Sequence, residues 1–293
     1  MPMDMKGKVI ATDLDGTLFY PKKKFRLISM RNRRFLRRFI DDGGRLLIVS
    51  SRNISVRDKI ADVLERPVDM VGCNGCFVTA DQRFIYEQCF DNALLREVLE
   101  YVNRSIRPKI FLLSSRNHTF VMKRNFYTWW YIPYYFFQGA LREFFVRNDD
   151  ILEREMNEGY VYKVMLLVGI RKSATDKARD LVPELSERFP NVEFTWTGQM
   201  LEITPKACTK SQGIAFYLDY RKISHDNVLV VGDSGNDVSM FDSFPEHSYC
   251  MSHAEDEVKA HAKATIKYVS DLEKLLYPSE DGRPSKESKG EKL

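Results

Sequence analysis

The sequence predicts an α/β fold, a doubly wound parallel sheet with a second, α+β unit inserted into it. Two observations support this prediction. Short apolar runs alternate with amphipathic helical stretches near both ends of the chain, which is typical of a parallel sheet with helices on both faces. Between about residues 80 and 203 this alternation gives way to a mixture of strand-like and helical stretches.

Each core element has its own signal. A buried strand is expected where a short apolar run ends at a turn, and a helix where apolar residues recur every three to four positions. These patterns predict strands at 9–11, 45–49, 70–71 and 227–231, and helices at about 29–42, 55–64 and 210–218. Together the elements predict a Rossmann-like core.

The inserted unit is predicted to contain strands at 119–123, 162–168 and 192–196 and helices at 92–103 and 175–189. We therefore assign residues 1–80 and 203–277 to the core and residues 81–202 to an inserted α+β cap domain, with hinges near residues 80 and 203. Residues 278–293 are polar and charged, and we expect this tail to be disordered.

Composition narrows the class of function. The 293 residues carry a net charge of +4, from 45 basic and 41 acidic residues, which does not indicate a nucleic-acid-binding protein. No apolar run is long enough for a membrane helix, and we expect no signal peptide. Five cysteines without a disulfide framework favour the reducing cytoplasm. The sequence leaves open whether the protein is a monomer or a homodimer.

Two of the cysteines, Cys73 and Cys76, form a C-x-x-C motif. Such a motif can bind zinc or take part in redox chemistry. No second pair follows at zinc-finger spacing, and His residues are few. Buried or partly exposed thiols are therefore the favoured interpretation.

Acidic residues directly follow two of the predicted core strands. Asp13 and Asp15 follow the first strand, and Asp233 and Asp237 follow the last. The carboxyl ends of parallel strands meet at one edge of an open sheet, where ligands bind. Carboxylates this close repel one another, and a divalent cation such as Mg²⁺ compensates for that repulsion. Either motif alone could be a solvated turn or a helix cap, but the two together predict a metal site.

The same edge offers groups that can bind a phosphate. Ser50, at the end of the second predicted strand, supplies a hydroxyl and nearby backbone N–H groups. Lys210, near the start of a helix, supplies a positive charge. Each is an ordinary surface residue on its own, so the prediction depends on their position relative to the acidic residues.

In this order the motifs resemble those of the haloacid dehalogenase-like (HAD) superfamily: D-L-D-G-T-L, a strand ending in Ser, a Lys, and G-D-S-G-N-D. The long interval between Ser50 and Lys210 resembles the spacing of the second and third motifs in the C2-capped subclass. The sequences C-N-G at 73–75 and M-S-H-A at 251–254 resemble the Cof-type (class IIB) hydrolases. The resemblance covers residues 8–263, although the cap matches only in size and pattern.

The resemblance implies roles for the matching residues. Asp13 is the nucleophile, and Asp15 is the general acid that protonates the leaving oxygen and then the base that activates water. Mg²⁺ is held by Asp13, by the backbone carbonyl of Asp15 and by Asp233, with Asp237 in support. The phosphate is bound by Leu14, Ser50, Ser51, Lys210 and Asn236. The cation and the ammonium of Lys210 would reduce the repulsion between the carboxylate of Asp13 and the phosphate.

Two positions depart from the family pattern. The second motif usually reads T-G-R and here reads Ser50-Ser51-Arg52, so a side chain stands where glycine is common. His253 stands where the family often has Asn. We expect Ser51 to alter the approach of the backbone to the phosphate and His253 to alter the loop near the metal. Neither departure removes a catalytic group.

The predicted cap contains a run of aromatic residues at 126–137. In one interpretation, one or two of these rings line the substrate pocket. In the favoured alternative they pack the cap or form a dimer interface. Lys123 and Arg124 are further candidates for binding a second anionic group. The cap is expected to close over the core and exclude water from the reacting phosphate.

The sequence therefore predicts a cytoplasmic, Mg²⁺-dependent phosphatase that forms an aspartyl phosphate on Asp13. Its substrate is expected to be a small phosphorylated metabolite, namely a sugar phosphate, a nucleotide or a phosphorylated cofactor. A phosphomutase of the same superfamily is an alternative, and product analysis separates the two. A phosphate sensor is disfavoured, because a site that only binds gains nothing from a second Asp at the leaving group.

Overall fold

The computed structural model describes residues 4–21, 26–130, 145–169, 176, 178–197 and 200–278, and these residues form two β-sheets. The strands are, in chain order, β1 (Val9–Thr12), β2 (Arg45–Val49), β3 (Asp69–Gly72), β4 (Phe77–Ala80), β5 (Arg83–Glu87), β6 (Ile110–Ser115), β7 (Phe120–Met122), β8 (Phe145–Arg147), β9 (Val161–Leu167), β10 (Val192–Thr197), β11 (Met200–Pro205), β12 (Val228–Gly232), β13 (Ser248–Met251) and β14 (Ala264–Ile266).

The helices between these strands are mostly short. They are α1 (Met30–Asp41), α2 (Ser55–Leu64), α3 (Asn92–Ser105), α4 (Asp149–Glu158), α5 (Val182–Arg188), α6 (Lys210–Arg221), α7 (Val238–Ser243), α8 (Asp256–Lys259) and α9 (Glu273–Leu276). Among the residues that the structure describes, no helix is long and apolar enough to cross a membrane.

The larger sheet has eight strands in the order β14-β13-β12-β1-β2-β3-β4-β5. The first six are mutually parallel, and β4 and β5 continue the sheet in antiparallel pairing. The predicted α/β class with a mainly parallel sheet is confirmed. The sequence did not predict β5, because its apolar run is only three residues long, Phe84 to Tyr86, between the charged residues Arg83 and Glu87.

Two apolar clusters cover the two faces of the larger sheet. The side chains of β1 alternate between them: Ile10 packs in the cluster that contains Phe35 of α1, whereas Val9 and Ala11 pack in the cluster that contains Ile214 of α6. This period of two places α1 and α2 on one face and α6 and α7 on the other. The helices therefore bury both faces and leave the carboxyl edge of the strands open for ligands.

The smaller sheet has six strands in the order β10-β11-β9-β6-β7-β8, of which only β7 and β8 pair in parallel. Helices α3, α4 and α5 cover one face, where Val164 and Leu166 of β9 and Leu201 and Ile203 of β11 are buried. Because strand side chains alternate, Lys163 and the other intervening residues lie on the opposite face.

The two sheets bear on where the predicted core and cap meet. Strand β5 pairs with the larger sheet, although the sequence placed residues 81–87 in the cap, and β11 of the smaller sheet extends past residue 203. We therefore propose that the two links between the units lie at 88–91 and 206–209. Residues 131–137 of the aromatic run and residues 279–293 of the tail lie outside the described residues.

Candidate active site

The polar residues predicted from the sequence meet at the carboxyl edge of the larger sheet. Strand β1 lies between β2 and β12, and Thr12 stands opposite Val231. The N–H of Asp13 donates to the carbonyl of Val231 at 2.9 Å. Ser50 follows β2 and Asp233 follows β12, so both reach the same edge as Asp13.

Three carboxylates at this edge form a cluster. One carboxylate oxygen from each of Asp13, Asp233 and Asp237 lies within 4.8 Å of the other two. Asp13 and Asp237 are buried, and Asp233 is partly exposed. Within the described part of the chain, no other group of three Asp, Glu, His or Cys side chains has this spacing. The cluster is compact enough for its members to share one cation.

Lys210 neutralises part of the charge of this cluster. Its Nζ, at the first residue of α6, donates to Oδ1 of Asp13 at 2.7 Å and to Oδ1 of Asp237 at 2.6 Å. Oδ1 of Asn236 lies 3.3 Å from the same nitrogen. Burial opposes the charge of Lys210, but the two carboxylates outweigh it and raise its pKa. Lys210 therefore remains an ammonium beside the cluster.

Asp237 holds the loop that follows β12. While Oδ1 accepts from Lys210, Oδ2 accepts from the backbone N–H of Asp233 at 2.8 Å and from that of Ser234 at 3.0 Å. The side chain is fully buried, so these bonds are shielded from competing water. Asp237 therefore fixes the backbone that presents the carboxylate of Asp233.

Thr17 and Gly16 of the first motif fix Asp233 from the other side. Oγ1 of Thr17 donates to Oδ1 of Asp233 at 2.6 Å. Gly16 has a φ of +85°, and a Cβ at this position would lie 2.1 Å from Oδ2 of Asp233. Only glycine permits both this backbone conformation and this approach. Thr17 was given no role from the sequence, although its place in the D-L-D-G-T motif was a usable signal.

The electrostatics of the cluster favour a bound cation. Burial, together with the neighbouring Asp237 and Asp233, raises the pKa of Asp13 to about 8 against the opposing attraction of Lys210. Burial also raises the pKa of Asp233, and the hydrogen bond from Thr17 opposes that rise. When all three carboxylates are ionised they face one ammonium, which leaves an excess of negative charge that a cation compensates. Their hard oxygen donors fit Mg²⁺.

Asp13 should make the stability of the metal-free protein depend on pH. The folded protein holds the Asp13 proton up to about pH 8, whereas the unfolded chain releases it near the ordinary pKa of 3.8. Raising the pH through this window therefore lowers the free energy of unfolding. We expect Asp13→Asn, which cannot ionise, to exceed wild type in stability by at least about 1 kcal/mol near pH 8 in EDTA.

Urea unfolding of both proteins at about pH 5 and about pH 8 measures this difference. The advantage of the variant should be larger at the higher pH. A stability difference that is the same at both pH values would mean that Asp13 does not titrate as its burial requires.

Asp15 lies apart from the carboxylate cluster. Its side chain is 54% exposed and forms a two-pronged ion pair with Arg52, in which Nε donates to Oδ2 at 2.6 Å and Nη2 donates to Oδ1 at 2.9 Å. The carboxylate of Asp15 is therefore not a member of the metal cluster, and its backbone carbonyl stays the predicted ligand. This ion pair was not predicted from the sequence, because the two residues belong to different motifs, 37 positions apart.

The other predicted phosphate-binding residues lie in the loops after β1 and β2. Leu14 is fully buried, so its backbone is the part that can contact a phosphate. Ser50 is also buried, and its Oγ accepts from the N–H of Arg52 at 3.2 Å. The carbonyl of Ser51 accepts from Nζ of Lys163 at 3.0 Å. Phosphate binding by these residues stays a prediction.

His253, the second departure from the family pattern, lies beside the cluster. Its ring stacks on Tyr20 with the ring centroids 4.1 Å apart. Its Nε2 lies 3.9 Å from Oδ2 of Asp233. The loop after β13 therefore places an imidazole next to a carboxylate of the cluster, where the family often has an amide.

Cys73 and Cys76 are buried free thiols. Burial raises the pKa of Cys73 to about 12 and also raises that of Cys76. Buried thiols with raised pKa values are poor nucleophiles and poor metal ligands. Neither belongs to a group of three potential ligands among the described residues, which agrees with the favoured interpretation.

The cap residues singled out from the sequence lie at the surface. Lys123 and Arg124 are exposed. The described aromatic residues of the run are exposed as well, namely Phe126, Tyr127, Trp129 and Trp130. The roles of the run as a pocket lining or as cap packing stay predictions.

Comparison with known families agrees with this geometry. The family model described as haloacid dehalogenase-like hydrolase matches residues 10–273. The chain belongs to the haloacid dehalogenase-like hydrolase family. The family predicted from the motifs is therefore confirmed, and with it the hydrolase class of the HAD enzyme.

Relatives of this HAD hydrolase include proteins named phosphatases. The chain is 24% identical over 278 residues to the 5-amino-6-(5-phospho-D-ribitylamino)uracil phosphatase YwtE of Bacillus subtilis, covering 86% of this chain and 90% of that protein. The fold resembles a haloacid dehalogenase-like hydrolase from Bacteroides thetaiotaomicron, with a TM-score of 0.73, 22% identity and coverage of 92% and 97% of the two chains. It also resembles an HAD subclass IIB sugar phosphatase, with a TM-score of 0.70, 18% identity and coverage of 92% and 98%.

Proposed function

We propose that this HAD hydrolase is a Mg²⁺-dependent phosphatase that hydrolyses a small phosphate monoester with Asp13 as its nucleophile. The observation that carries the proposal is the buried carboxylate of Asp13, held by Lys210 at 2.7 Å beside the carboxylates of Asp233 and Asp237. The ammonium fixes the orientation of the carboxylate and supplies positive charge for an incoming phosphate. The family and the relatives named phosphatases support the same enzyme class.

In the first step an oxygen of Asp13 attacks phosphorus. The bond between phosphorus and the ester oxygen breaks, and this oxygen takes a proton from the carboxyl group of Asp15. The products of the step are the free alcohol, an aspartyl phosphate on Asp13 and the carboxylate of Asp15. Lys210 offsets the negative charge of the transferred group.

In the second step the carboxylate of Asp15 accepts a proton from water. The oxygen of this water attacks phosphorus, and the bond between phosphorus and Asp13 breaks. Inorganic phosphate leaves, and both Asp13 and Asp15 return to their starting forms. Asp15 therefore acts as acid in one step and as base in the other.

The residues that would hold Mg²⁺ are Asp13, Asp233 and the backbone carbonyl of Asp15, with Asp237 fixing the loop that carries Asp233. The bound ion supplies positive charge that reduces the repulsion between a carboxylate and a phosphate. We assign the phosphate oxygens of the substrate to a set of groups at the same edge, contributed by Leu14, Ser50, Ser51, Lys210 and Asn236.

The substrate is proposed to be a sugar phosphate, a nucleotide or a phosphorylated cofactor. The subclass IIB neighbour is named a sugar phosphatase, and YwtE acts on a phosphorylated ribityl compound. A sugar phosphate and a phosphorylated ribityl compound are both small phosphate monoesters, which supports a substrate of similar size for this protein. The cytoplasmic location and the choice between monomer and homodimer stay predictions.

A panel of phosphorylated metabolites with Mg²⁺ tests this function. We expect inorganic phosphate to be released, with kcat/KM for the best substrate at least about 10-fold above that for para-nitrophenyl phosphate, because contacts to the leaving group add binding energy in the transition state. Formation of an isomeric phosphate ester without phosphate release would favour the phosphomutase. Binding without turnover across the panel would favour the sensor.

A further inference from the structure

We propose that Arg52 is a positioning residue for Asp15, and that the loop carrying it links the acid–base group to the docked smaller sheet. Residues 50–53 form this loop, the second-motif loop. The inference rests on the proposed function, because it takes Asp15 to be the acid and base of the reaction. It adds a residue that the motif comparison left without a role.

The contact between Arg52 and Asp15 has the geometry of an orienting clamp. Nε and Nη2 of Arg52 donate to the two different oxygens of Asp15, at 2.6 Å and 2.9 Å. A planar guanidinium that binds both oxygens fixes the plane of the carboxylate as well as its distance. The Asp15 side chain is 54% exposed, whereas that of Arg52 is 19% exposed, so the better-packed partner is the arginine. Arg52 therefore orients a carboxylate that solvent alone would leave mobile.

The smaller sheet holds the second-motif loop at Ser51. Nζ of Lys163 on β9 donates to the carbonyl of Ser51 at 3.0 Å and to Oε2 of Glu202 on β11 at 3.3 Å. Lys163 and Glu202 are both almost completely buried. Burial opposes the charge of Lys163, but Glu202 outweighs it and the pKa of Lys163 is raised. A charged donor from the smaller sheet is therefore fixed on the residue before Arg52.

The smaller sheet also holds the loop at Asn53, on the other side of Arg52. Nδ2 of Asn53 donates to Oγ of Ser114 at 2.7 Å and to the carbonyl of Ser115 at 2.8 Å. Asn53 is 2% exposed, and a buried amide without its partners is costly. Both neighbours of Arg52 are thus bound by the smaller sheet, and the backbone of Arg52 depends on how that sheet is docked.

The clamp matters chemically when the leaving oxygen must be protonated. In the first step Asp15 gives its proton to that oxygen as the phosphorus–oxygen bond breaks and the bond to Asp13 forms. One oxygen of Asp15 carries the proton in that step, and the other remains bound to Arg52. After the transfer Arg52 pairs with the resulting carboxylate. Without the ion pair to Arg52, the carboxyl group of Asp15 can still transfer a proton, but it is seldom oriented toward the leaving oxygen.

This role predicts a dependence on the leaving group that a structural role would not produce. Para-nitrophenolate leaves readily without a proton, whereas phenolate is a poorer leaving group and benefits from general acid catalysis. We expect Arg52→Gln to lower kcat/KM about 10- to 100-fold for phenyl phosphate and less than about 3-fold for para-nitrophenyl phosphate. Arg52→Lys keeps the charge but cannot bind both oxygens of Asp15 as the guanidinium does. Its kcat/KM should also fall more for phenyl phosphate than for para-nitrophenyl phosphate, by a smaller difference than in Arg52→Gln.

Four further variants complete the experiment. Asp15→Asn should show the largest difference between the losses of kcat/KM for the two substrates. The double variant of Asp15→Asn with Arg52→Gln should have no lower kcat/KM for phenyl phosphate than Asp15→Asn alone. Arg66→Gln removes a similar two-pronged ion pair, with Asp41 on the surface, and should leave both values unchanged. Lys163→Gln combined with Glu202→Gln removes both charges of the buried pair and should reproduce the direction of the Arg52→Gln effect.

The outcomes separate the inference from the proposed function. If Asp15→Asn lowers kcat/KM equally for both substrates, Asp15 is not the acid of the first step, and the part of the proposed function on which the inference rests fails. If Asp15→Asn separates the substrates but Arg52→Gln slows both equally, Arg52 is not a positioning residue and only the inference fails. Losses that multiply in the double variant would likewise overturn it. Unchanged kinetics in the Lys163 and Glu202 variant would overturn the proposed link from the smaller sheet through Ser51.

Discussion

Replacement of Asp13 by Asn is expected to lower kcat by about 10⁴-fold or more with any substrate. The amide has no anionic oxygen and cannot form the aspartyl phosphate. The binding site should survive the change, because Lys210 keeps its hydrogen bond to Asp237. Release of inorganic phosphate from para-nitrophenyl phosphate and from the best metabolite of the panel measures the effect.

A matched control uses a buried carboxylate at the opposite edge of the same sheet. Asp69 begins β3, is 7% exposed and accepts hydrogen bonds from Tyr217 and Arg221. Asp69→Asn should lose stability but keep kcat within about 3-fold, because it removes a buried ion pair without touching the carboxyl edge. Turnover by Asp13→Asn within about 10-fold of wild type would reject Asp13 as the nucleophile.

Removal of the metal is expected to have an effect of similar size. Treatment with EDTA should lower kcat by at least about 10³-fold, and Mg²⁺ should restore it along a saturable curve. The physical reason is the excess of negative charge in the ionised cluster, where the carboxylates of Asp13, Asp233 and Asp237 face one ammonium. Without a cation, a phosphate that approaches Asp13 meets that charge unscreened.

A binding measurement separates metal binding from activity. Mg²⁺ should raise the unfolding temperature of wild type, because a ligand that binds only the folded state stabilises it. Asp233→Asn should need at least about 10-fold more Mg²⁺ for the same rise. An enzyme that is fully active in EDTA, with an unfolding temperature that Mg²⁺ does not change, would contradict the metal assignment.

The sequence was most informative where function depends on short motifs at strand ends. Asp13, Asp233 and Asp237 were predicted to share one edge of the sheet, and one oxygen of each lies within 4.8 Å of the others. Lys210 was expected nearby and contacts two of them. These predictions succeeded because a parallel sheet brings the residues after its strands to a common edge, whatever the side chains between them.

The sequence was least informative where a contact depends on side chains from distant elements. The ion pair of Arg52 with Asp15, and the bond from Lys163 to Ser51, join residues 37 and 112 positions apart. No local periodicity encodes such a pair, because each partner is separately an ordinary polar residue. Strand β5 was missed because its apolar run, Phe84 to Tyr86, is too short to be distinguished without its partner β4.

The account as a whole depends on a covalent intermediate at Asp13. Borohydride reduction of a reaction quenched during turnover converts an aspartyl phosphate into homoserine, which peptide mass spectrometry locates. The mechanism predicts homoserine at residue 13 in wild type with substrate and Mg²⁺, and none without substrate or in Asp13→Asn. Reduction at another residue, or no reduction during rapid turnover, would contradict it.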